Sequence, residues 1–128
     1  DDSTARRVAL KRFNRRGTKA FKQEVKLLLR VGAHPHILRL LEAYEVTGDM
    51  VSKPREPDDK DETDVLILEY CAGGDMYDHY VQTRRTGLPV DKVVGLVRQL
   101  LLALSHLGDC GIEHRDVKPE NLLLSSCA

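Results

Sequence analysis

The segment His-Arg-Asp-Val-Lys-Pro-Glu-Asn, at residues 114–121, constrains this chain more than any other part of its sequence. It places a carboxylate, an ammonium group and a side-chain amide close together, at Asp116, Lys118 and Asn121. A long helical pattern precedes the segment and the apolar residues 122–124 follow it. We therefore expect a polar loop between regular elements, and the fold must bring its three functional groups to one place.

The segment resembles the catalytic loop of protein kinases, and this resemblance implies that the three side chains serve in moving a phosphoryl group onto a hydroxyl. The carboxylate of Asp116 can orient and deprotonate the hydroxyl, and Lys118 can supply a cation near the transferred group. Asn121 can supply an oxygen ligand for Mg²⁺. The alternative is a polar turn whose charges are simply solvated, but further motifs upstream favour the chemical interpretation.

The rest of the chain alternates short strands with helices. Apolar periodicity predicts strands over residues 7–13, 38–45 and 65–70, with a helix over 19–31 that ends at Gly32. A short helix is expected over 76–86 and the longest one over 90–107, closed by Gly108. Its broad apolar stripe, suited to burial, comprises Val93, Val94, Val97, Leu100, Leu101 and Leu104.

The loop at 114–121 resembles the catalytic loop of eukaryotic-type Ser/Thr protein kinases, and the upstream motifs follow the order of that family. The resemblance implies an α+β, partial protein-kinase-like fold. An antiparallel small-lobe sheet with one helix (1–70) would lead through a hinge (71–75) to the first helices of the large lobe (76–128). The active site would lie in the cleft between the lobes, and 47–64 would be a charged, mobile surface insertion.

The same resemblance implies the activity and its cofactors. The parent protein would transfer the γ-phosphoryl group of ATP to Ser or Thr hydroxyls of a protein substrate, with Mg²⁺ bound at Asn121. Lys118 in the loop favours Ser/Thr over Tyr as the acceptor. The alternatives are a nucleotide-binding pseudokinase and a scaffold that acts only by binding another protein.

Lys11, at the end of Val8-Ala9-Leu10-Lys11, resembles the kinase lysine that contacts the α- and β-phosphates of ATP. Such a lysine needs a carboxylate to fix its flexible stem, and Glu24 in the following helix is the expected partner. Lys11 could instead be a solvent-facing strand residue, and Glu24 could pair with Lys26 or Arg30.

The transition from an apolar strand to glycines at 66–75 suits an adenine ring, which needs a flat apolar slot and exposed backbone groups. By resemblance, Leu68 controls the depth behind the adenine, and the backbones of Glu69 and Cys71 meet its polar edge. Asp75 would reach the ribose hydroxyls. Its position suits the N-cap of the helix beginning at Met76 equally well, and the two roles can coexist.

Charge and apolar patterning argue against other classes of function. Twenty basic and twenty acidic residues cancel, so we expect no nucleic-acid partner, and the apolar runs are too short for a membrane span. Cys71, Cys110 and Cys127 lack metal-ligand spacing and favour free thiols in a reducing compartment. We therefore expect an intracellular protein, cytoplasmic or nuclear, with its oligomeric state left open.

Some parts of the kinase pattern are missing or altered. The glycine-rich loop, the Asp-Phe-Gly motif and the activation segment are absent from the sequence, so we expect a fragment that is inactive by itself. Gly108 stands where a histidine is common. Glu113 replaces an apolar residue before His114, and it either costs packing energy or faces the solvent.

Overall fold

The structure is a computed structural model, and it describes residues 7–13, 18–45, 63–83 and 87–125. The predicted turn at 14–17, most of the predicted insertion and the last turn of the predicted 76–86 helix lie outside these residues. The elements in order are β1 (Val8–Arg12), α1 (Lys19–Val31), β2 (Leu40–Tyr44), β3 (Val65–Glu69), α2 (Met76–Thr83), α3 (Val90–Asp109) and a 3-10 turn (Pro119–Asn121).

The chain divides into two compact units. The first comprises Asp1–Arg30 and Arg39–Glu69, and the second comprises Val31–Leu38 and Tyr70–Ala128. The first unit contains the sheet, and the second contains α2, α3 and the 114–121 loop. The antiparallel sheet and α1 in the first unit, followed by the helices of the second, confirm the predicted α+β class.

The sheet has the order β1-β3-β2, and both pairs of strands are antiparallel. β3 is therefore the central strand, and its residues alternate between buried and partly exposed. Leu66 and Leu68 occupy the buried positions. The continuous apolar run predicted a strand buried throughout, but in an antiparallel sheet successive side chains point to opposite faces, and only one face is fully buried here.

Both ends of α1 follow local sequence signals. The hydroxyl oxygen of Thr18 accepts a hydrogen bond from the Phe21 amide at 3.2 Å, which caps the first turn. Gly32 ends the helix with a φ of 66°, as predicted, because glycine adopts this left-handed conformation without a steric penalty. Phe21 is buried and meets the ring of Phe13 edge-on, with 5.3 Å between ring centroids. Leu29, on the same helix, is 69% exposed and lies outside this packed face.

The end of α3 differs from its prediction. The helix continues through Gly108 to Asp109, and the chain turns at Gly111, which has a φ of 67°. The Gly111 amide donates to the Gly108 carbonyl at 2.8 Å, and the Ile112 amide donates to the Leu107 carbonyl at 2.9 Å. Gly111 rather than Gly108 therefore closes the helix, because it is the glycine that takes the left-handed conformation.

The apolar stripe of α3 is less buried than predicted. Ala103 and Leu107 are buried, whereas the stripe residues Val93, Val94, Val97 and Leu101 are exposed. No part of the described chain covers that side of the helix. None of the helices in the described ranges is long and apolar enough to cross a membrane.

The predicted insertion is one or two residues shorter at its C-terminal end. Asp64, assigned to the 47–64 insertion, is fully buried, and its carbonyl accepts a hydrogen bond from the Phe13 amide at 3.0 Å. This bond continues the β1–β3 pairing beyond the Arg12–Val65 partners. Asp64 therefore belongs to the sheet, while residues 47–62 lie outside the described part of the chain.

Candidate active site

The 114–121 loop gathers its three predicted functional groups. The Lys118 ammonium nitrogen lies 3.1 Å from Oδ2 of Asp116, and the Asn121 amide nitrogen donates to the same oxygen at 3.0 Å. A second bond from that nitrogen reaches the Asp116 backbone carbonyl at 2.8 Å. Because the Asn121 amide donates to both the backbone carbonyl and the carboxylate of Asp116, the carboxylate has a defined direction although it remains exposed to the solvent.

A short 3-10 turn positions Asn121. Pro119 begins the turn with its fixed φ, and the Asn121 amide donates to the Lys118 carbonyl at 2.9 Å. His114 supports the other end of the loop, because its Nδ1 accepts a hydrogen bond from the Asp116 amide at 3.2 Å. The two ends of the catalytic segment are thus fixed by separate hydrogen bonds around Asp116.

A ladder of backbone hydrogen bonds joins the residues that follow this loop to the glycine-rich segment 71–75 and to Met76, and nothing in the sequence predicted this pairing. Gly73 donates to the Leu124 carbonyl, Leu124 donates to Gly74, and the Met76 amide donates to Leu122, each at 2.8 Å. Asp75 and Leu123 form the antiparallel bridge at its centre. The apolar residues 122–124 were the only signal for this pairing, and an apolar run does not specify its partner.

The environment of Asp116 favours its ionised form. Hydrogen bonds from Lys118 first, and then from Asn121, lower the pKa of the Asp116 carboxyl below its ordinary value of 3.8. Partial burial acts in the opposite direction but is the smaller effect. The carboxylate is therefore a charged acceptor at neutral pH, able to receive a hydrogen bond from an incoming hydroxyl.

Glu113, whose role the sequence left open, faces the solvent. Its Oε2 accepts hydrogen bonds from Nε and Nη2 of Arg115, both at 2.9 Å, and the two side chains are highly exposed. Arg115 has a φ of 63°, which is uncommon for a residue with a side chain. Because its carboxylate forms this ion pair at the exposed surface, Glu113 causes no packing defect in the loop.

The predicted pair of Lys11 and Glu24 is present in the first unit. The Lys11 ammonium nitrogen lies 2.8 Å from Oε1 and 2.7 Å from Oε2 of Glu24, a two-oxygen contact across β1 and α1. The same nitrogen lies 5.4 Å from the centroid of the Phe13 ring, within the range of a cation–π contact. Glu24 therefore pairs with Lys11, whose side chain is still half exposed to the solvent.

The predicted adenine-site residues are divided between the two units. In the first unit, Leu68 is buried in β3, and both the amide and the carboxylate of Glu69 bond the backbone of Arg39, at 3.0 and 2.8 Å. In the second unit, the Cys71 carbonyl accepts a hydrogen bond from the Gly74 amide at 3.3 Å. Neither Cys71 nor Cys110 forms a disulfide. Nucleotide contacts of these residues stay predictions.

Asp75 caps α2. Its Oδ1 accepts a hydrogen bond from the Asp78 amide at 2.8 Å, the geometry of a helix N-cap. The capping role predicted from its position is therefore confirmed, and the ribose contact stays a prediction. Within the described ranges, no group of three or more His, Cys, Asp or Glu side chains could hold a metal ion.

We expect Asp75→Ala to destabilise the second unit by about 1 kcal/mol, because it removes the acceptor of the Asp78 amide. Asp75→Asn should keep most of that stability, since its side-chain oxygen also caps a helix. Denaturant unfolding of the two variants would check this. Equal losses in both would show that the charge of Asp75, rather than its capping oxygen, stabilises α2.

Comparisons with known proteins identify the family of this chain. The family model described as protein kinase domain matches residues 1–128. A probable myosin light chain kinase of Dictyostelium discoideum is 36% identical over 123 residues, which are 94% of this chain and 34% of that relative. The DNA damage response protein kinase DUN1 of Saccharomyces cerevisiae is 34% identical over 130 residues, covering 95% of this chain and 23% of that protein.

A solved structure shows the same likeness. The crystal structure of Rad53 residues 1–466 in complex with AMP-PNP matches this chain with a TM-score of 0.68 and 28% sequence identity. The match covers 93% of this chain and 28% of that one. The chain belongs to the protein kinase family. It spans about a third or less of the length of these curated relatives.

Proposed function

We propose that the protein containing this chain is a serine/threonine kinase, which transfers the γ-phosphoryl group of ATP to Ser or Thr hydroxyls of protein substrates. The observation that carries the proposal is the Asp116 carboxylate held between the Lys118 ammonium group and the Asn121 amide. Curated relatives named as Ser/Thr protein kinases support the choice of acceptor, as does Lys118 itself.

Asp116 would orient the acceptor hydroxyl. Its charged carboxylate can accept the hydroxyl hydrogen and align the oxygen for attack on phosphorus. A low pKa makes Asp116 a weak base, which suits a reaction in which the proton moves late. Lys118, 3.1 Å from that carboxylate, can stabilise negative charge on the phosphoryl group as it approaches the hydroxyl.

The donor set of Asn121 fits a magnesium ligand. Both bonds of its side-chain amide to Asp116 use the nitrogen, which directs that atom to the aspartate and assigns the carbonyl oxygen Oδ1 to other partners. Oxygen is the ligand atom that Mg²⁺ prefers, and when bound the ion neutralises charge on the phosphates. Asn121 would thus hold the ion while it fixes Asp116.

Lys11 would hold the α- and β-phosphates of ATP. A lysine ammonium bound by two carboxylate oxygens of Glu24 is restrained, and its remaining hydrogen-bonding capacity can point to the phosphates. We place the adenine against Leu68, with the backbones of Glu69 and Cys71 at its edge and Asp75 at the ribose. The similar Rad53 structure is a complex with AMP-PNP, which supports a nucleotide of this type.

We also propose an intracellular location, cytoplasmic or nuclear, because neither Cys71 nor Cys110 forms a disulfide.

The direct test of the function is to incubate the full-length protein with γ-labelled ATP, Mg²⁺ and a mixture of Ser-, Thr- and Tyr-containing peptides. We expect label on Ser and Thr. Nucleotide binding without transfer would instead establish a pseudokinase, and label on Tyr would refute the proposed acceptor.

Residues 47–62 should be dispensable for phosphoryl transfer. β2 and β3 pair as antiparallel neighbours up to Tyr44 and Val65, so a short Gly/Ser turn can join them, and shortening a surface loop carries little entropic cost. Thr63 and Asp64 must be kept, because Asp64 is part of the sheet. We expect ATP turnover within about threefold of wild type, that is, a barrier change below about 1 kcal/mol. A deletion extended through Asp64 is the contrasting variant and should lose stability.

A further inference from the structure

Two histidine rings stack in the second unit, and neither histidine is among the groups assigned to phosphoryl transfer. His34 lies in the segment after α1, and His106 lies near the end of α3. Their ring centroids are 4.7 Å apart and the rings are nearly parallel, with an angle of 22° between them. His36 approaches His34 edge-on at 5.7 Å. We call His34, His36 and His106 the histidine cluster.

The hydrogen bond of the His106 ring shows which of its two nitrogens carries the hydrogen atom. Nε2 of His106 lies 2.9 Å from the carbonyl oxygen of Val31, the last residue of α1. A carbonyl can only accept, so Nε2 carries the hydrogen. Protonation of the other ring nitrogen would leave this bond intact. His106 can therefore gain a positive charge without losing its contact with Val31.

The His34 ring accepts a hydrogen bond, whereas the His106 ring donates one. Its Nδ1 accepts a hydrogen bond from the His36 amide at 3.2 Å, so this nitrogen must be unprotonated. A second hydrogen on the ring would occupy the lone pair that the amide uses. The backbone bond from the Ile37 amide to the His34 carbonyl, at 3.2 Å, does not involve the ring and would remain. Protonation thus removes the side-chain bond but leaves the turn.

The surroundings of His34 disfavour its charged form. Partial burial is the largest cause and lowers the pKa of His34 below its ordinary value of 6.5, followed by the charges of His106 and then His36. The groups beside the stack are His36, from the same segment as His34, and Cys110, the residue that follows α3. The Cys110 sulfur lies 3.8 Å from Nε2 of His106. Protons on both rings would place two cations face to face.

We propose that the histidine cluster is a pH-sensitive latch that holds segment 32–38 on α3. With His34 neutral, the ring stacks on His106 and accepts the His36 amide, and the segment is docked. With His34 protonated, the amide loses its acceptor, and the two rings repel whenever His106 is charged. The docked state is therefore favoured at neutral pH and released in acid.

The direction of the pH dependence follows from linkage. Because the pKa of His34 is lowered in the folded protein, the undocked segment binds more protons than the docked one below pH 6.5. The latch is at full strength above pH 6.5 and weakens as the pH falls from there to the pKa of folded His34, below which both states bind the proton and the weakening stops. Between these two values the ratio of docked to undocked protein should fall at most about tenfold per pH unit.

The test is NMR spectroscopy of the histidine-labelled full-length protein, titrated from about pH 7.5 to about pH 5, which spans the ordinary histidine pKa. We expect nuclear Overhauser contacts between the His34 and His106 rings at the upper end. These should disappear on acidification with the midpoint of the His34 titration, and the His36 amide shift should move with the same midpoint. The His34 midpoint itself should lie below its ordinary value.

Three variants separate the latch from a purely structural role. His34→Asn keeps a side-chain acceptor for the His36 amide but cannot titrate at position 34, so that amide shift should no longer show the wild-type His34 midpoint. His106→Phe keeps an aromatic face without charge, and the pKa of His34 should rise relative to wild type. His79→Gln, outside the cluster in α2, is the matched control and should leave the His34 titration unchanged.

Two results would overturn the latch. One is ring contacts that persist after His34 has titrated, which would show that its charge does not release the segment. The other is a His36 amide shift that still follows the wild-type midpoint in His34→Asn, which would assign the pH response to another group. Neither result would bear on phosphoryl transfer, because no member of the cluster is assigned to that chemistry.

Discussion

Asp116→Asn in the full-length protein is expected to lower kcat by about 100- to 10,000-fold, the range found for a positioned acid–base group. The affinity for ATP should change by no more than about threefold, a difference of under 1 kcal/mol. The reason is that Asp116 is assigned to the acceptor hydroxyl and not to the nucleotide, so its charge acts mainly in the transition state. Steady-state kinetics together with a nucleotide titration would measure both quantities.

The substitution is conservative in shape. An asparagine side chain at position 116 still offers an oxygen to Lys118 and Asn121, which hold the wild-type carboxylate at 3.1 and 3.0 Å. Lost activity would therefore report the charge rather than a collapsed loop. Asp109→Asn, at the exposed end of α3, is the matched control and should keep normal turnover. Near-normal kcat in Asp116→Asn would remove Asp116 from the mechanism.

Lys11 and Glu24 should behave as one unit. Lys11→Met and Glu24→Gln are each expected to lower kcat/KM by about 100-fold or more, as for the loss of a charged hydrogen bond worth about 3 kcal/mol in the transition state. The double variant should be little worse than either single one. Glu24 acts only by holding Lys11, so once the lysine is gone the carboxylate has no further effect.

The first unit offers a matched ion pair for comparison. Lys22 and Glu45 lie 2.8 Å apart, are exposed to a similar degree as Lys11 and Glu24, and have no assigned catalytic role. Lys22→Met and Glu45→Gln should leave kcat/KM almost unchanged, because exposed ion pairs contribute little. Full additivity of the Lys11 and Glu24 effects would show that this pair is not formed in the active state.

Local sequence signals predicted the elements whose causes are local. The helical period and the stop signal at Gly32 predicted α1 with its observed bounds, and the structure adds the cap at Thr18, which was not predicted. The 114–121 segment predicted that the side chains of Asp116, Lys118 and Asn121 meet, because all three lie within six consecutive residues. Lys11 and Glu24 were predicted from a resemblance to a family, since nothing local in the sequence relates a strand lysine to a helix glutamate.

Features that depend on long-range contacts were predicted less well. Gly108 and Gly111 both resemble helix stops, and only the tertiary structure decided which one turns left-handed. The stripe on α3 predicted burial from its period alone, yet burial depends on a covering surface that a period does not specify. Asp64 looked like part of a charged loop, yet it is buried and its carbonyl is paired with the amide of Phe13, far away in sequence.

The amino-acid sequence by itself determined the three-residue arrangement at Asp116 and the signals at both ends of α1, because those interactions act within one or two turns of chain. The tertiary structure alone decided that residues 122–124 pair with the glycine-rich segment and that His34 stacks on His106. Those partners are separated by dozens of residues. Contacts at such distances are selected by the packing of the whole unit, where hydrogen-bond geometry and burial choose among many residues of the same chemical type.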